Sequence, residues 1–220
     1  MPNMSSFERV VCQSTPWRAF TGRIVLPWAL QGIEPHGDVL EIGSGSGAMA
    51  EHLLDALPDA HLTATDIDPA MVRDARERLA RFKDRVVVRE ASATQLPFED
   101  QSFDVVLSFI MLHHVVDWEG ALRDALRVVR PGGVLVGYDL LSTMPLRILH
   151  HVEGQPYRMM TLDALRDVAM ELPLVDATLT STFAGFAVRF VFAKHPAQPR
   201  VTKEAAGSRS RSWTARASLR

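Results

Sequence analysis

Between residues 38 and 139 short apolar runs alternate with amphipathic stretches. DVLEIG (38–43) is apolar and stops at glycine, as a buried strand would, and SGAMAEHLLDAL (46–57) has helical spacing and stops at Pro58. HLTATD (61–66) predicts a second strand. Pro69 suits a helix start, and Met71, Val72, Ala75 and Leu79 share one helical face running on to Phe82. RVVVRE (85–90) and FDVVLSF (103–109) predict strands three and four. WEGALRDALRVV (118–129) predicts an amphipathic helix closed by Pro131-Gly132-Gly133, and VLVGYD (134–139) a fifth strand. Strands separated by helices require parallel crossovers and a sheet covered on both faces.

Outside that region the rhythm differs. Residues 1–37 carry scattered apolar positions, with a helix predicted within 16–31. After Asp139 an irregular apolar stretch (140–160) leads to a helix over 161–172, with Thr161 as N-cap. VDATLTST and GFAVRFVFAK, divided near Ala184-Gly185, read as an antiparallel pair. The fold class is therefore α/β: a doubly wound, mostly parallel seven-stranded sheet with helices on both faces and an antiparallel C-terminal hairpin. The expected organisation is a helical segment at 1–37, a principal domain at 38–195 and a disordered tail at 196–220.

Charge supports that tail. Residues 196–220 carry six basic side chains against Glu204, leaving an acidic body over 1–195. Such a segment buries too little to offset its ordering entropy. Contact of the tail with a membrane or nucleic acid is the alternative. The acidic body argues against a nucleic-acid surface. Cys12 is the sole cysteine, so neither a disulfide framework nor a cysteine-rich zinc site can form, and no metal is expected. No uncharged apolar run approaches the ~18 residues of a membrane span. The first residues lack the basic and apolar regions of a secretory signal, so the expected compartment is the cytoplasm.

Candidate chemistry starts at Glu41-Ile42-Gly43-Ser44-Gly45-Ser46-Gly47, which follows a strand and opens a helix. Glycines let the chain turn tightly and let backbone approach a ligand, and amides at a helix N-terminus suit an anionic group. Asp66 ends the second strand, beside the first in a doubly wound sheet, where a carboxylate can accept from both hydroxyls of a ribose. Gly43, Gly45 and Ala48 also satisfy a dinucleotide pattern, with Asp66 23 residues after Gly43. A tight strand-to-helix turn with no ligand is the structural alternative.

Further segments follow in order: Ala91-Ser92-Ala93-Thr94-Gln95-Leu96-Pro97-Phe98, Ser102-Phe103-Asp104-Val105-Val106, Leu112-His113-His114-Val115, and Leu126-Arg127-Val128-Val129-Arg130-Pro131-Gly132-Gly133. With VLEIGSGSG and ATDIDP, this succession resembles the class I S-adenosylmethionine-dependent methyltransferases, in their small-molecule (type 11-like) group, over about residues 38–139. The resemblance implies S-adenosyl-L-methionine as cofactor and a small, partly apolar methyl acceptor. Gly43, Ser44, Gly45 and Gly47 would line its methionine part and Glu41 would orient its ammonium. Asp66 would hold the ribose diol and Ile67 would pack on the adenine face. Ala93 would offer an amide to the adenine edge, and Ser108 would line the methionine side. Ser92 stands where the family commonly carries an acid.

His113 and His114 are the candidate bases, at a place where substrate meets cofactor in this family, and a base is required only if the acceptor must lose a proton; the plainer reading is that one of them packs or caps in the short loop and the other is exposed. Asp139 would touch substrate or anchor the loop. His150, His151, Tyr157 and the methionines 144, 159 and 160 are expected in an apolar lid, with Trp17, Phe20 and Trp28 either closing the other side or packing against the sheet edge. The Asn/Asp-Pro-Pro-aromatic motif of base-amine methylation is replaced by Ser108-Phe109-Ile110-Met111, against a nucleic-acid substrate. A nicotinamide-dependent oxidoreductase and a non-catalytic cofactor-binding partner are the competing functions. Neither the acceptor nor the oligomeric state is legible.

Overall fold

The structure, a computed structural model, describes residues 20–142, 160–182 and 185–196. Seven strands form one sheet: β1 Asp38–Ile42, β2 His61–Asp66, β3 Val86–Glu90, β4 Phe103–Phe109, β5 Val129–Leu140, β6 Leu174–Thr182 and β7 Ala187–Lys194. Their order is β3-β2-β1-β4-β5-β7-β6. Strands β1 to β5 pair in parallel, while β7 runs antiparallel to both β5 and β6. The order reverses between β1 and β4, and the crevice at their C-terminal ends is where such sheets take ligands.

The helices are α1 Leu26–Ala29 (preceded by a π turn, Thr21–Val25), α2 Ala48–Ala56, α3 Pro69–Leu79, α4 Trp118–Val128 and α5 Leu162–Glu171. Three begin on side chains that satisfy first-turn amides. Asp68 caps α3 at Ala70 N (2.8 Å), Asp117 caps α4 at Gly120 N (3.0 Å), and Thr161 caps α5 at Ala164 N (3.2 Å). Alternation along each strand sends neighbouring residues to opposite faces. Leu40, Ile42, Val106, Leu135, Phe190 and Phe192 pack under α4 and α5. Val39, Leu62, Ala64, Leu107, Val136 and Tyr138 pack under α1, α2 and the end of α3.

Three differences from the expected pattern have local causes. Strand β5 starts at Val129 rather than 134: Val129 pairs with Phe103 and Val134 with Val105, so Pro131-Gly132-Gly133 bulges out of a continuing ladder. The helix after β1 starts at Ala48 because Gly47, at φ 77°, is its N-cap. Met160, expected in a lid, is fully buried in the core cluster that includes α5, and its carbonyl accepts from Ser142 N at 2.8 Å. Trp17, Met144, His150, His151, Tyr157, Met159 and the basic tail beyond 196 lie outside the described residues. Among the described residues no helix is long and apolar enough to cross a membrane.

Candidate functional site

The C-terminal end of β1 passes into a loop whose glycines are required by geometry. Gly43 has φ 67°, and a Cβ there would come within 2.7 Å of Met111 Cβ. Gly47 has φ 77°, and a Cβ there would press on Ala75 and Leu79 of α3. Both conformations favour glycine; a side chain at Gly43 would displace Met111, and one at Gly47 would crowd α3. The loop is pinned from three sides. Ser44 N donates to Thr65 O (2.8 Å), Gly45 N to Asp66 Oδ2 (2.8 Å), and Arg78 Nε of α3 to Ser46 O (2.7 Å). A Cβ on Gly45 would meet nothing within 4 Å, so the crest of the loop borders open space.

Asp66 thus lies beside the loop, as its place at the end of β2 requires. Its second oxygen, Oδ1, accepts from Asp68 N at 2.9 Å. Burial raises its pKa, against the lowering effect of the Asp68 and Gly45 amides. Glu41 is buried on β1, and Oε2 has no hydrogen-bond partner. Burial, then the nearby charge of Asp66, pushes its carboxyl up to about 8. Ser44 Oγ and Ser108 Oγ are likewise buried without partners. Ser108 pairs with Ile42 on one side and Gly137 on the other, so it sits at the sheet's switch point. Three orphaned oxygens around one loop are unusual, since nearly all buried polar atoms are bonded.

Ile67 is 39% exposed beside Asp66, an apolar side chain left uncovered. Ser92 sits in a tight turn after β3, its Oγ 3.0 Å from Thr94 Oγ1, and Ala93 is buried. Arg127 of α4 holds the segment after that turn, donating to Leu96 O (3.0 Å) and Phe98 O (2.8 Å). Arg130, in the Arg-Pro-Gly-Gly motif, pairs with Asp104 (2.6 Å) and Asp38 (2.8 Å), which anchors the opposite end of β1 and β4.

The connection after β4 turns sharply. Ile110 has φ 47°, a strained value for a β-branched residue. Leu112–His114 then form a single 3-10 turn. Asp139, fully buried near the end of β5, closes it: Oδ2 accepts from Met111 N (3.0 Å) and Leu112 N (2.6 Å). Oδ1 accepts from Leu140 N (2.7 Å) and contacts His113 Nδ1 (2.6 Å). His113 is buried, and the His114 ring packs on it with centroids 3.9 Å apart. Of the two readings of Asp139, the loop anchor is the one seen. Its bond to His113 joins residues 26 apart, and periodicity carries no sign of it. The loop contact of Arg78 is equally long-range and equally silent in the sequence. Among the described residues no group of three or more His, Cys, Asp or Glu is placed to hold a metal.

Residues 40–137 match the family described as methyltransferase domain. The chain is 39% identical over 133 residues to demethylmenaquinone methyltransferase of Clavibacter sepedonicus, spanning 60% of this chain and 50% of that protein. It is 41% identical over 105 residues to 27-O-demethylrifamycin SV methyltransferase of Amycolatopsis mediterranei, 47% of this chain and 38% of that one. The chain thus spans half or less of these relatives. In structure it is similar to Haemonchus contortus phospholethanolamine N-methyltransferase 2, solved with S-adenosylhomocysteine: TM-score 0.70 at 16% identity, covering 89% of this chain and 62% of that one. Residues 40–137 are therefore similar to the methyltransferase-domain family, and the sheet has the Rossmann-like fold of the methyltransferase structures it resembles.

Proposed function

We propose that the protein transfers a methyl group from S-adenosyl-L-methionine to a small-molecule acceptor. The observation that carries this reading is the set of buried, unpartnered oxygens of Glu41, Ser44 and Ser108 around the glycine loop. A buried carboxyl with an orphaned oxygen suits a cationic partner, and an ammonium seated there would favour its ionised form. The residues present therefore fit this cofactor. In this reading Glu41 holds the ammonium, while Gly43, Ser44, Gly45, Gly47 and Ser108 line the methionine part. Asp66, already fixing the loop through Gly45, takes the ribose, and Ile67 covers one adenine face. Ser92 and Ala93 border the adenine edge, with a neutral hydroxyl in place of the usual acid. When bound, the cofactor supplies a methyl group already activated by its sulfonium. The chain's own task is to align the acceptor and exclude water.

We propose further that the functional domain is 38–195, flanked by the 1–37 segment and a basic tail, and that the compartment is the cytoplasm. The acceptor is small and partly apolar, not nucleic acid, and His113 or His114 is the group that takes a proton from it. The relatives matched in sequence are named as methyltransferases, which favours this reading over a nicotinamide-dependent oxidoreductase.

Calorimetry on the full chain tests the reading. S-adenosylhomocysteine should bind and NADH should not. Asp66→Ala should weaken the binding by about 1–3 kcal/mol, through loss of a charged acceptor and of the Gly45 tether. Binding of NADH alone would overturn the proposal, and unchanged affinity in Asp66→Ala would remove Asp66 from the site.

A further inference from the structure

We infer that Met111 is a positioning residue of the cofactor site: its side chain is the stop that holds the glycine loop in place from the β4 side. The inference rests on the methyltransferase reading above for the ligand, and on contacts within the chain for everything else. The hydrogen bonds that pin the loop reach it from β2 and α3, through Thr65, Asp66 and Arg78. On its other flank β1 pairs with β4, and the segment leaving β4 carries Met111. Met111 Cβ, Cγ and Cε stand 2.7, 2.9 and 3.1 Å from the point that a Cβ on Gly43 would occupy. The thioether chain therefore fills the space that glycine leaves, and it lies along Gly43 for most of its own length.

The backbone fixes this placement. Ile110, at φ 47°, turns the chain immediately after β4 in a conformation that β-branched residues rarely adopt. Its N–H donates to Tyr138 O of β5 (2.9 Å). Met111 is then held on both sides: its N–H donates to Asp139 Oδ2 (3.0 Å), and its carbonyl accepts from His114 N (3.1 Å). The side chain is also packed against the core cluster under α4 and α5. Strain kept next to a ligand-binding loop points to a functional constraint. An unbranched thioether suits the task, because its three rotatable bonds let it fit an irregular gap.

The consequence is for affinity. Ser44 lies on the loop and Ser108 on β4, each with a buried, unpartnered hydroxyl. Met111 ties the loop carrying the first to the end of the strand carrying the second. A loop already held in its bound shape loses less freedom when the ligand arrives, so this packing strengthens binding without a contact to the ligand.

The test compares wild type, Met111→Ala and Met111→Leu as full chains, each shown by urea unfolding to be folded under the conditions used. Leucine nearly conserves the volume, and alanine removes the part of the side chain beyond Cβ. Calorimetry with S-adenosylhomocysteine should show binding weakened about tenfold in Met111→Ala and within about threefold of wild type in Met111→Leu. Hydrogen exchange of the ligand-free proteins reads the loop directly. The Ser44 and Gly45 amides, bonded to Thr65 O and Asp66 Oδ2, should exchange faster in Met111→Ala and at the wild-type rate in Met111→Leu. Wild-type exchange at both amides in Met111→Ala overturns the inference. So does a Met111→Leu protein as weak in binding as Met111→Ala, since the sulfur would then act on the ligand itself. If Met111→Ala does not fold, Met111→Val, a smaller truncation, is read in the same two ways. Failure of S-adenosylhomocysteine to bind the wild type would sink the methyltransferase reading instead, while the exchange of Ser44 and Gly45 would still decide whether Met111 holds the loop.

Discussion

Glu41 illustrates how a single buried carboxyl can make stability depend on pH. Its pKa lies at about 8 in the fold against 4.5 ordinarily, with burial the larger cause and Asp66 the smaller. Between those values the folded protein holds a proton that the unfolded chain releases, so rising pH favours unfolding. The loss begins near pH 4.5 and is complete above about pH 8. Glu41→Gln removes the titration while keeping the shape. A tenfold difference in proton affinity between folded and unfolded chain corresponds to about 1.4 kcal/mol, so the variant should be more stable than wild type by roughly 3–5 kcal/mol near pH 8, and by little near pH 5. Urea unfolding at the two pH values measures this, and a gap independent of pH would show that Glu41 does not ionise in this range. The same substitution should weaken S-adenosylhomocysteine binding, since the neutral amide cannot pair with an ammonium.

At the scale of elements, long-range cations finish what local sequence begins. Helix α4 ends without a glycine cap, and its last carbonyls are met from β7. Lys194 Nζ donates to Leu126 O (2.8 Å), Arg127 O (3.3 Å) and Val129 O (2.7 Å). Lys194→Met keeps the stem and deletes the donor, so it should cost about 1–3 kcal/mol by leaving helix-end carbonyls unmet. A lowered urea midpoint with an unchanged slope would show it. Neither this contact nor the Asp139–His113 bond is legible in the sequence, because a side chain's distant partner leaves no period in the chain. What is legible is what local pattern encodes. Strands β2 and β4 run over 61–66 and 103–109 as expected, since each is a bounded apolar run. The glycine loop is visible too, because its backbone geometry admits few residue types, and Asp66 because it ends a bounded strand. Strand β5 reads short because Pro131-Gly132-Gly133 has turn chemistry, and only the pairing of Val129 with Phe103 shows the ladder continuing past it. The orphaned oxygens of Ser44 and Ser108 come from structure alone: a serine in a sequence does not say whether its hydroxyl is satisfied.

For the molecule as a whole, the question is what holds the N-terminal helical segment to the sheet. That segment closes one face over β5 and β7: Val25, Leu26 and Ala29 join the core there, and Trp28 meets Tyr138 edge-on at 5.6 Å. Apolar contact alone sets no register for so short a helix. Arg189 of β7 supplies one, with Nε donating to Ala29 O (2.8 Å) and Nη2 to Gln31 O (2.6 Å). Burial lowers the pKa of this guanidinium, which nonetheless stays charged, so the fold accepts a desolvation cost to make two directed bonds. Arg189→Met should remove that cost together with the bonds. The net global change is then small, about 1–2 kcal/mol, while the segment loses its anchor. Thermolysin should therefore cut within residues 20–37 faster in Arg189→Met than in wild type, with cleavage inside 38–140 no faster. Equal cleavage of the N-terminal segment in the two proteins would show that apolar packing, not Arg189, seats it.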